Sequence, residues 1–184
     1  ERSGESLGIV DVHLAAEGLD EEPARAHGAG SSTFFPWFGF DEVLRSASMS
    51  SFETLVDISN NSTKEFGPRD LFGTKKNGAW VWTTYAQFGE MVETFRAGLA
   101  SIGIQRGDKV AVIADNRVEW AVTAYACYGL GAAMVPMYEA QHEKDWEFIV
   151  RDCEAKALFV ANKTILEKSK RFLKDIGTLK TIVC

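Results

Sequence analysis

Two hydrophobic rhythms divide the chain. Between Tyr85 and Ile102 the large apolar residues are Tyr85, Phe88, Val92, Phe95, Leu99 and Ile102, at alternating spacings of three and four. That places all six on one face of a helix, each contributing about 1.5–3 kcal/mol if fully buried. Thr84 with Gln87 predicts its capping box. Gly103 predicts its end, with Ile104 where a left-handed cap wants an apolar contact. From Lys109 the rhythm changes. Lys109–Ala114 is an unbroken Val- and Ile-rich run behind a Gly107-Asp108 turn, which fits a strand buried on both faces. Asp115-Asn116 closes it, and Asn116 with Glu119 predicts a helix cap. A helix follows through Trp120, Ala121, Ala124, Tyr125 and Tyr128 to Gly129-Leu130-Gly131, and Ala133–Tyr138 is a second buried strand. Together they predict one βαβ unit.

The alternation continues downstream. Asp145–Cys153 predicts a helix with Trp146, Ile149 and Val150 on one side, and Lys156–Ala161 a strand. Thr164 with Glu167 predicts the cap of another helix carrying Ile165, Leu166, Phe172 and Leu173, and Thr181–Cys184 opens a further strand. The fold class is therefore α/β, a parallel sheet with alternating helices and right-handed crossovers. Upstream, Ser50 and Glu53 predict a capping box for a short helix through Leu55, Val56 and Ile58 toward Gly67. Leu71–Lys75 and Ala79–Trp82, joined through Asn77-Gly78, predict a β-hairpin, because Asn-Gly tolerates the positive φ of a tight turn. Residues 1–32 lack a sustained period and are expected to be mostly disordered; Ile9, Val10, Val12 and Leu14 could at most form a short strand. Thr33–Phe40 is a dense aromatic cluster, read either as packing against a surface beyond this chain or as a membrane or partner patch.

Trp120–Tyr138 holds no charged residue, so a membrane span is considered. Its glycines, Pro136, the flanking Glu119 and Glu139, and the absence of a Lys/Arg cluster favour a buried core segment instead. The net charge is −6, but seven acids against two bases in residues 1–32 account for −5 of it. The rest is near neutral without a basic stripe, which argues against nucleic acid as a partner. Cys127, Cys153 and Cys184 are widely spaced with no CxxC, which argues against a disulfide framework or structural zinc. The sequence has no signal-like start and ends on an unfinished strand, so the expectation is a chain truncated at both ends.

Candidate chemistry is sparse. Gly129-Leu-Gly131 resembles a dinucleotide fingerprint, but Met134 stands at the third glycine position and the glycines end a helix, whereas that fingerprint opens one. There is no Walker A pattern and no G-x-S-x-G elbow. His13 and His27 fall in the leader, and His142 beside Glu143 and Asp145 is read as solvent-exposed. Asp115, Asn116, Tyr138, Glu139 and Asn162 lie at or beyond strand C-terminal ends, the edge where α/β proteins bind ligands.

Several segments resemble the long-chain acyl-CoA synthetases of the adenylate-forming superfamily. Trp82-Thr-Thr-Tyr-Ala-Gln-Phe88 is similar to that superfamily's first core motif, with Phe88 in place of the usual Leu. Gly107–Ile113 followed by Asn116-Arg-Val-Glu-Trp120 resembles the synthetases' Gly-Asp strand and Asn-Arg-Pro-Glu-Trp segment, with Val118 replacing Pro. Tyr128–Tyr138 resembles the second core motif, ending Val-Pro-x-Tyr. The resemblance covers about residues 50–184. Residues 1–48, an acidic and mostly disordered leader with the aromatic cluster, match nothing in it, whereas it implies 49–184 as the truncated N-terminal portion of an AMP-binding domain. It further implies a parent fatty acid–CoA ligase using ATP, Mg²⁺ and CoA on a long-chain fatty acid. Such an enzyme would sit on the cytosolic side, peripheral on the endoplasmic reticulum or another membrane. Tyr85, Trp120, Pro136 and Tyr138 match motif positions that read as scaffold, so the resemblance carries no catalytic, cofactor-binding or metal-binding residue into this chain. Two other readings stay open: another adenylating enzyme, such as a medium-chain ligase or peptide-synthetase module, and a non-catalytic interaction module.

Overall fold

Among the described residues five parallel strands make the main sheet, in the order Ile9–Val10, Thr181–Val183, Ala157–Val160, Lys109–Ile113, Ala133–Met137. The computed structural model describes residues 9–10 and 52–184. Its strands are β1 (Ile9–Val10), β4 (Lys109–Ile113), β5 (Ala133–Met137), β6 (Ala157–Val160) and β7 (Thr181–Val183), with the antiparallel hairpin of β2 (Asp70–Lys76) and β3 (Ala79–Thr84) apart from them. The helices are α1 (Leu55–Phe66), α2 (Tyr85–Ser101), α3 (Val118–Gly129), α4 (Glu143–Asp152), α5 (Lys163–Ser169) and α6 (Phe172–Asp175). Among the described residues no helix is long and apolar enough to cross a membrane.

β4 lies between β6 and β5, with Val110–Ile113 buried, and its alternating side chains feed two cores. Val110 joins Phe88, Val92 and Leu99 of α2 and Val122, Ala126 and Cys127 of α3. Ala111 and Ile113 join Trp146 and Val150 of α4, Ile165 and Leu166 of α5 and Phe172 of α6. The helix after β4 thus lies on one face and those after β5 and β6 on the other, so the winding direction reverses at β4.

β5 departs from the expectation of a buried strand. Among the described residues it pairs only with β4, and Pro136 on it is exposed while Met137 is buried. Proline has no N–H to give to a further strand, which suits an edge position. The short strand considered for the leader is present at Ile9–Val10, which pairs in parallel with Ile182–Val183. The remainder of residues 1–48, including the aromatic cluster, lies outside the described residues.

Helix starts were less legible than helix ends. Thr84 and Gln87 cap α2 reciprocally as predicted. The box of α1 is Thr54 with Asp57, four residues after the predicted Ser50–Glu53 pair. Arg117, not Asn116, is the N-cap of α3, with no side-chain cap bond. Asn162, not Thr164, caps α5, its Oδ1 accepting the Ile165 N–H at 3.0 Å.

The helix ends follow one geometry three times. After α2, Gly103 (φ +86°) donates to Ala100 O and Ile104 to Leu99 O, both at 3.0 Å. After α3, Gly131 (φ +67°) and Ala132 repeat the pair of bonds onto Tyr128 and Cys127, both at 2.9 Å. After α4 the left-handed position is Glu154 (φ +54°), with Ala155 bonding Val150 at 3.1 Å. In each case the next residue, Ile104, Ala132 or Ala155, is buried and leads toward a strand. Ile102 of the six-residue apolar face stands at this turn and is 39% exposed, whereas Phe88, Val92 and Leu99 are buried.

The hairpin turn Asn77-Gly78 has positive φ at both residues, as a two-residue turn matched to strand twist requires. On β3, Trp80 and Trp82 stack with ring centroids 6.1 Å apart, over Gly73 of β2. A Cβ at Gly73 would come within 2.8 Å of the Trp82 ring, so only glycine leaves room for the pair.

Two outcomes test the helix ends. Gly103→Ala should lower stability by about 1 kcal/mol, because nothing crowds the site and the backbone alone objects. Glu154→Gly should raise stability by about 0.5–1 kcal/mol. Urea midpoints measure both; equal midpoints for wild type and either variant would contradict the cap geometry.

A third outcome concerns Asp108, which lies before β4. Its carboxylate accepts from Lys156 Nζ at 2.8 Å and from the Gln105 N–H at 2.7 Å. The lysine bond and that backbone bond hold its pKa below the ordinary aspartate value. A depressed folded pKa gives stability that is full above the unfolded pKa and is lost as pH falls through the folded one. Wild type should therefore lose stability on acidification below about pH 4 more steeply than Asp108→Asn. Parallel slopes in urea titrations across that range would contradict this.

Candidate functional site

The C-terminal ends of β4, β5 and β6 meet where the winding direction reverses, and the side chains of their loops converge there. Ala114 N–H reaches Met137 O at 3.3 Å and Ala161 N–H reaches Ile113 O at 3.0 Å, so the three ends stay in step past the last paired residues. Glu139, just after β5, ties them together. Its Oε1 accepts the Asp115 N–H at 3.1 Å, and its Oε2 accepts from Asn162 Nδ2 at 3.0 Å. Asn162 uses its other side-chain atom to cap α5. One carboxylate therefore links the exits of three adjacent strands.

Arg117 adds a second crossing. Its Nε donates to Glu119 Oε2 at 3.0 Å and its Nη1 to Ala161 O at 3.4 Å, joining the β4 exit to the β6 exit. Beside β5, Gln141 Oε1 accepts the Tyr138 N–H at 2.9 Å, and Tyr138 O accepts from Trp146 Nε1 at 3.0 Å. The Tyr138 ring itself is 72% exposed.

Of the five edge residues picked out from the sequence, Asp115, Glu139 and Asn162 come together through Glu139. Tyr138 contributes its backbone, and Asn116 makes no hydrogen bond among the described residues. Arg117 and Gln141 were missed. Gln141 carried a usable signal, since Tyr138-x-x-Gln141 has the spacing of a capping pair; Arg117 carried none.

The chemistry this edge offers is acceptor and donor positioning. Among the described residues no three His, Cys, Asp or Glu side chains could hold a metal ion together. His142 is exposed at the start of α4. Cys127 is buried inside α3, and burial pushes its thiol up to about 12, so it stays protonated and unreactive at neutral pH. The open depression of about 360 Å³ lies elsewhere, at the opposite edge of the sheet.

A model of the AMP-binding enzyme family matches residues 65–184. The chain belongs to the AMP-binding enzyme family. Over 180 residues it is 29% identical to long chain acyl-CoA synthetase 5 of Arabidopsis thaliana, a match covering 95% of this chain and 26% of that protein. Over 83 residues it is 34% identical to the long-chain-fatty-acid–CoA ligase FadD15 of Mycobacterium tuberculosis, covering 45% of this chain and 14% of that one. Among solved structures, the anthranilate CoA ligase AuaEII with anthranoyl-AMP superposes with a TM-score of 0.64 at 22% identity, covering 70% of this chain and 24% of that one. The Mycobacterium tuberculosis fatty acyl CoA synthetase gives 0.61 at 22% identity, covering 70% and 26%. At these identities the structures bear on the fold, and it is the α/β fold of adenylate-forming ligases. The chain spans about a quarter of the length of the Arabidopsis relative.

Within this AMP-binding segment, the motif-like stretches lie on element junctions. Thr84-Tyr85 joins β3 to α2, with the Tyr85 ring against Phe66 at 5.7 Å. Asn116–Trp120 opens α3, and Tyr128–Tyr138 runs from its last turn through β5.

The edge network yields a direct test. Glu139→Ala should leave the Asp115 amide and the Asn162 side chain to water. We expect several-fold faster Asp115 amide exchange and a stability loss of about 1 kcal/mol. Unchanged exchange at Asp115 by nuclear magnetic resonance would show that the carboxylate does not hold the three exits.

Proposed function

We propose that this chain is the N-terminal part of a long-chain fatty acid–CoA ligase. The observation that carries the reading is the match to a long chain acyl-CoA synthetase along 95% of the chain. In the proposed reaction a fatty acid carboxylate oxygen attacks the α-phosphorus of ATP, and the bond to pyrophosphate breaks. The thiol of CoA, losing its proton, then attacks the acyl carbon of the adenylate, forming the thioester and releasing AMP. ATP, CoA and the fatty acid are thus substrates of the parent enzyme. Mg²⁺ would hold the pyrophosphate as it leaves. Among the described residues no three His, Cys, Asp or Glu side chains are grouped to hold a metal ion, and no step is assigned to Mg²⁺ in this chain.

The part this chain plays is a scaffold: a sheet whose reversal point is tied together by Glu139. Peripheral attachment at the cytosolic side of a membrane belongs to the same proposal. The long-chain acyl substrate in the relatives' names supports it.

Fatty-acid-dependent exchange of labelled pyrophosphate into ATP tests the reading. The protein expressed from the complete coding sequence should exchange with long-chain acids, and the 184-residue chain alone should not. Reading that coding sequence past Cys184 should reveal, within about a hundred residues, a Thr/Ser-Ser-Gly-Thr loop followed by Gly, Pro, Lys and Gly, small residues whose backbone N–H groups can surround phosphates. A stop codon directly after Cys184, or exchange only with short or aromatic acids, would overturn it.

A further inference from the structure

The sheet edge opposite the Glu139 network carries a row of lysines. Lys109, Lys156 and Lys180 each precede a registered position: Val110 pairs with Ala157, and Ala157 with Thr181. Backbone bonds confirm the alignment, Lys156 N–H to Lys109 O and Lys180 N–H to Lys156 O, both at 2.9 Å. Strands in a sheet lie about 4.8 Å apart, so the three stems stand side by side. All three line the open depression of about 360 Å³, together with Asp108, Glu154, Gly177 and Thr178.

Their charges are unevenly answered. The Lys156 ammonium is paired with Asp108 at 2.8 Å and also reaches Gly103 O at 3.2 Å. Lys180 Nζ donates only to the neutral carbonyl of Gly177, at 2.7 Å. The Lys109 ammonium makes no ion pair or hydrogen bond among the described residues. Three cations thus face two acids across the depression, Asp108, whose charge acts on Lys109 as well as on Lys156, and Glu154. Outside residues 1–32 the chain is close to neutral, so this local excess is not a reflection of overall charge. Lysine ammoniums act as compact point charges suited to phosphate oxygens, and the Thr178 hydroxyl can add a donor.

We propose that this lysine row is a binding site for a phosphate monoester, distinct from the C-terminal edge and independent of the ligase reading. The group could be carried by a small soluble molecule or by a lipid headgroup, and two arms of one experiment separate them. In the first, inorganic phosphate is titrated into the chain at constant ionic strength, with chloride as control, while the lysine side-chain resonances are followed. Lys109 and Lys180 should shift along one saturating curve. Lys109→Gln should weaken binding about fivefold, and Glu154→Gln, which removes an opposing acid, should tighten it by a similar factor. Lys180→Gln stands in if Lys109→Gln does not fold. In the second arm, sedimentation with phosphatidic acid vesicles, but not phosphatidylcholine vesicles, and its loss in Lys109→Gln would assign the lipid headgroup. Saturation by phosphate without sedimentation would assign a soluble ligand. Non-saturating shifts, equal shifts with chloride, or variants that leave the curve unmoved would overturn the proposal, whatever the vesicles do.

Discussion

Burial of β4 on both faces is the constraint that the other elements serve. A strand with Val110, Ala111, Val112 and Ile113 all withdrawn from water needs apolar cover above and below. That cover comes from α2 and α3 on one side and α4 to α6 on the other. Placing helices on both sides forces the chain to change winding direction at β4, and that change creates the reversal point. The cores and the candidate site are thus two results of one packing requirement.

The two edges of the sheet handle polarity differently. At the C-terminal edge the side chains satisfy one another, Glu139 taking a backbone N–H from one loop and a side-chain amide from another. Each Glu139 oxygen thus accepts one bond from a neighbouring strand exit, and the carboxylate ties the loops to one another. At the N-terminal edge the lysines exceed the acids, so charge is left over to act on something outside. Organisation at one edge and residual field at the other follow from which side chains occupy the strand ends, not from the sheet itself.

Periodicity made β4, α2, α3 and the hairpin legible, because those elements depend on local pattern and on burial. Gly103 and Gly131 were legible as stops because a left-handed residue favours glycine. Glu154 was not, since an L-residue there gives no local signal; the buried Ala155 after it holds the geometry in place. The caps of α3 and α5 were misread for a related reason. Asn and Thr candidates stood one or two residues from the true cap, and only the angle at which each strand delivers the chain decides between them. The pairing of Ile9–Val10 with β7 joins opposite ends of the sequence, which no local pattern encodes. Within the candidate site, the edge location was readable from strand ends, but the link from Glu139 to Asp115 and Asn162 depends on strand order.

Trp80 and Trp82 are held at a fixed offset above Gly73, in a hairpin outside the main sheet. Two indoles at 6.1 Å and an interplanar angle of 28° couple their electronic transitions. Such coupling is expected to add an exciton couplet to the far-ultraviolet circular dichroism, separate from the helical signal. The molecule carries its own optical label for β2 and β3, which lets the hairpin's melting be watched apart from that of the five-stranded sheet.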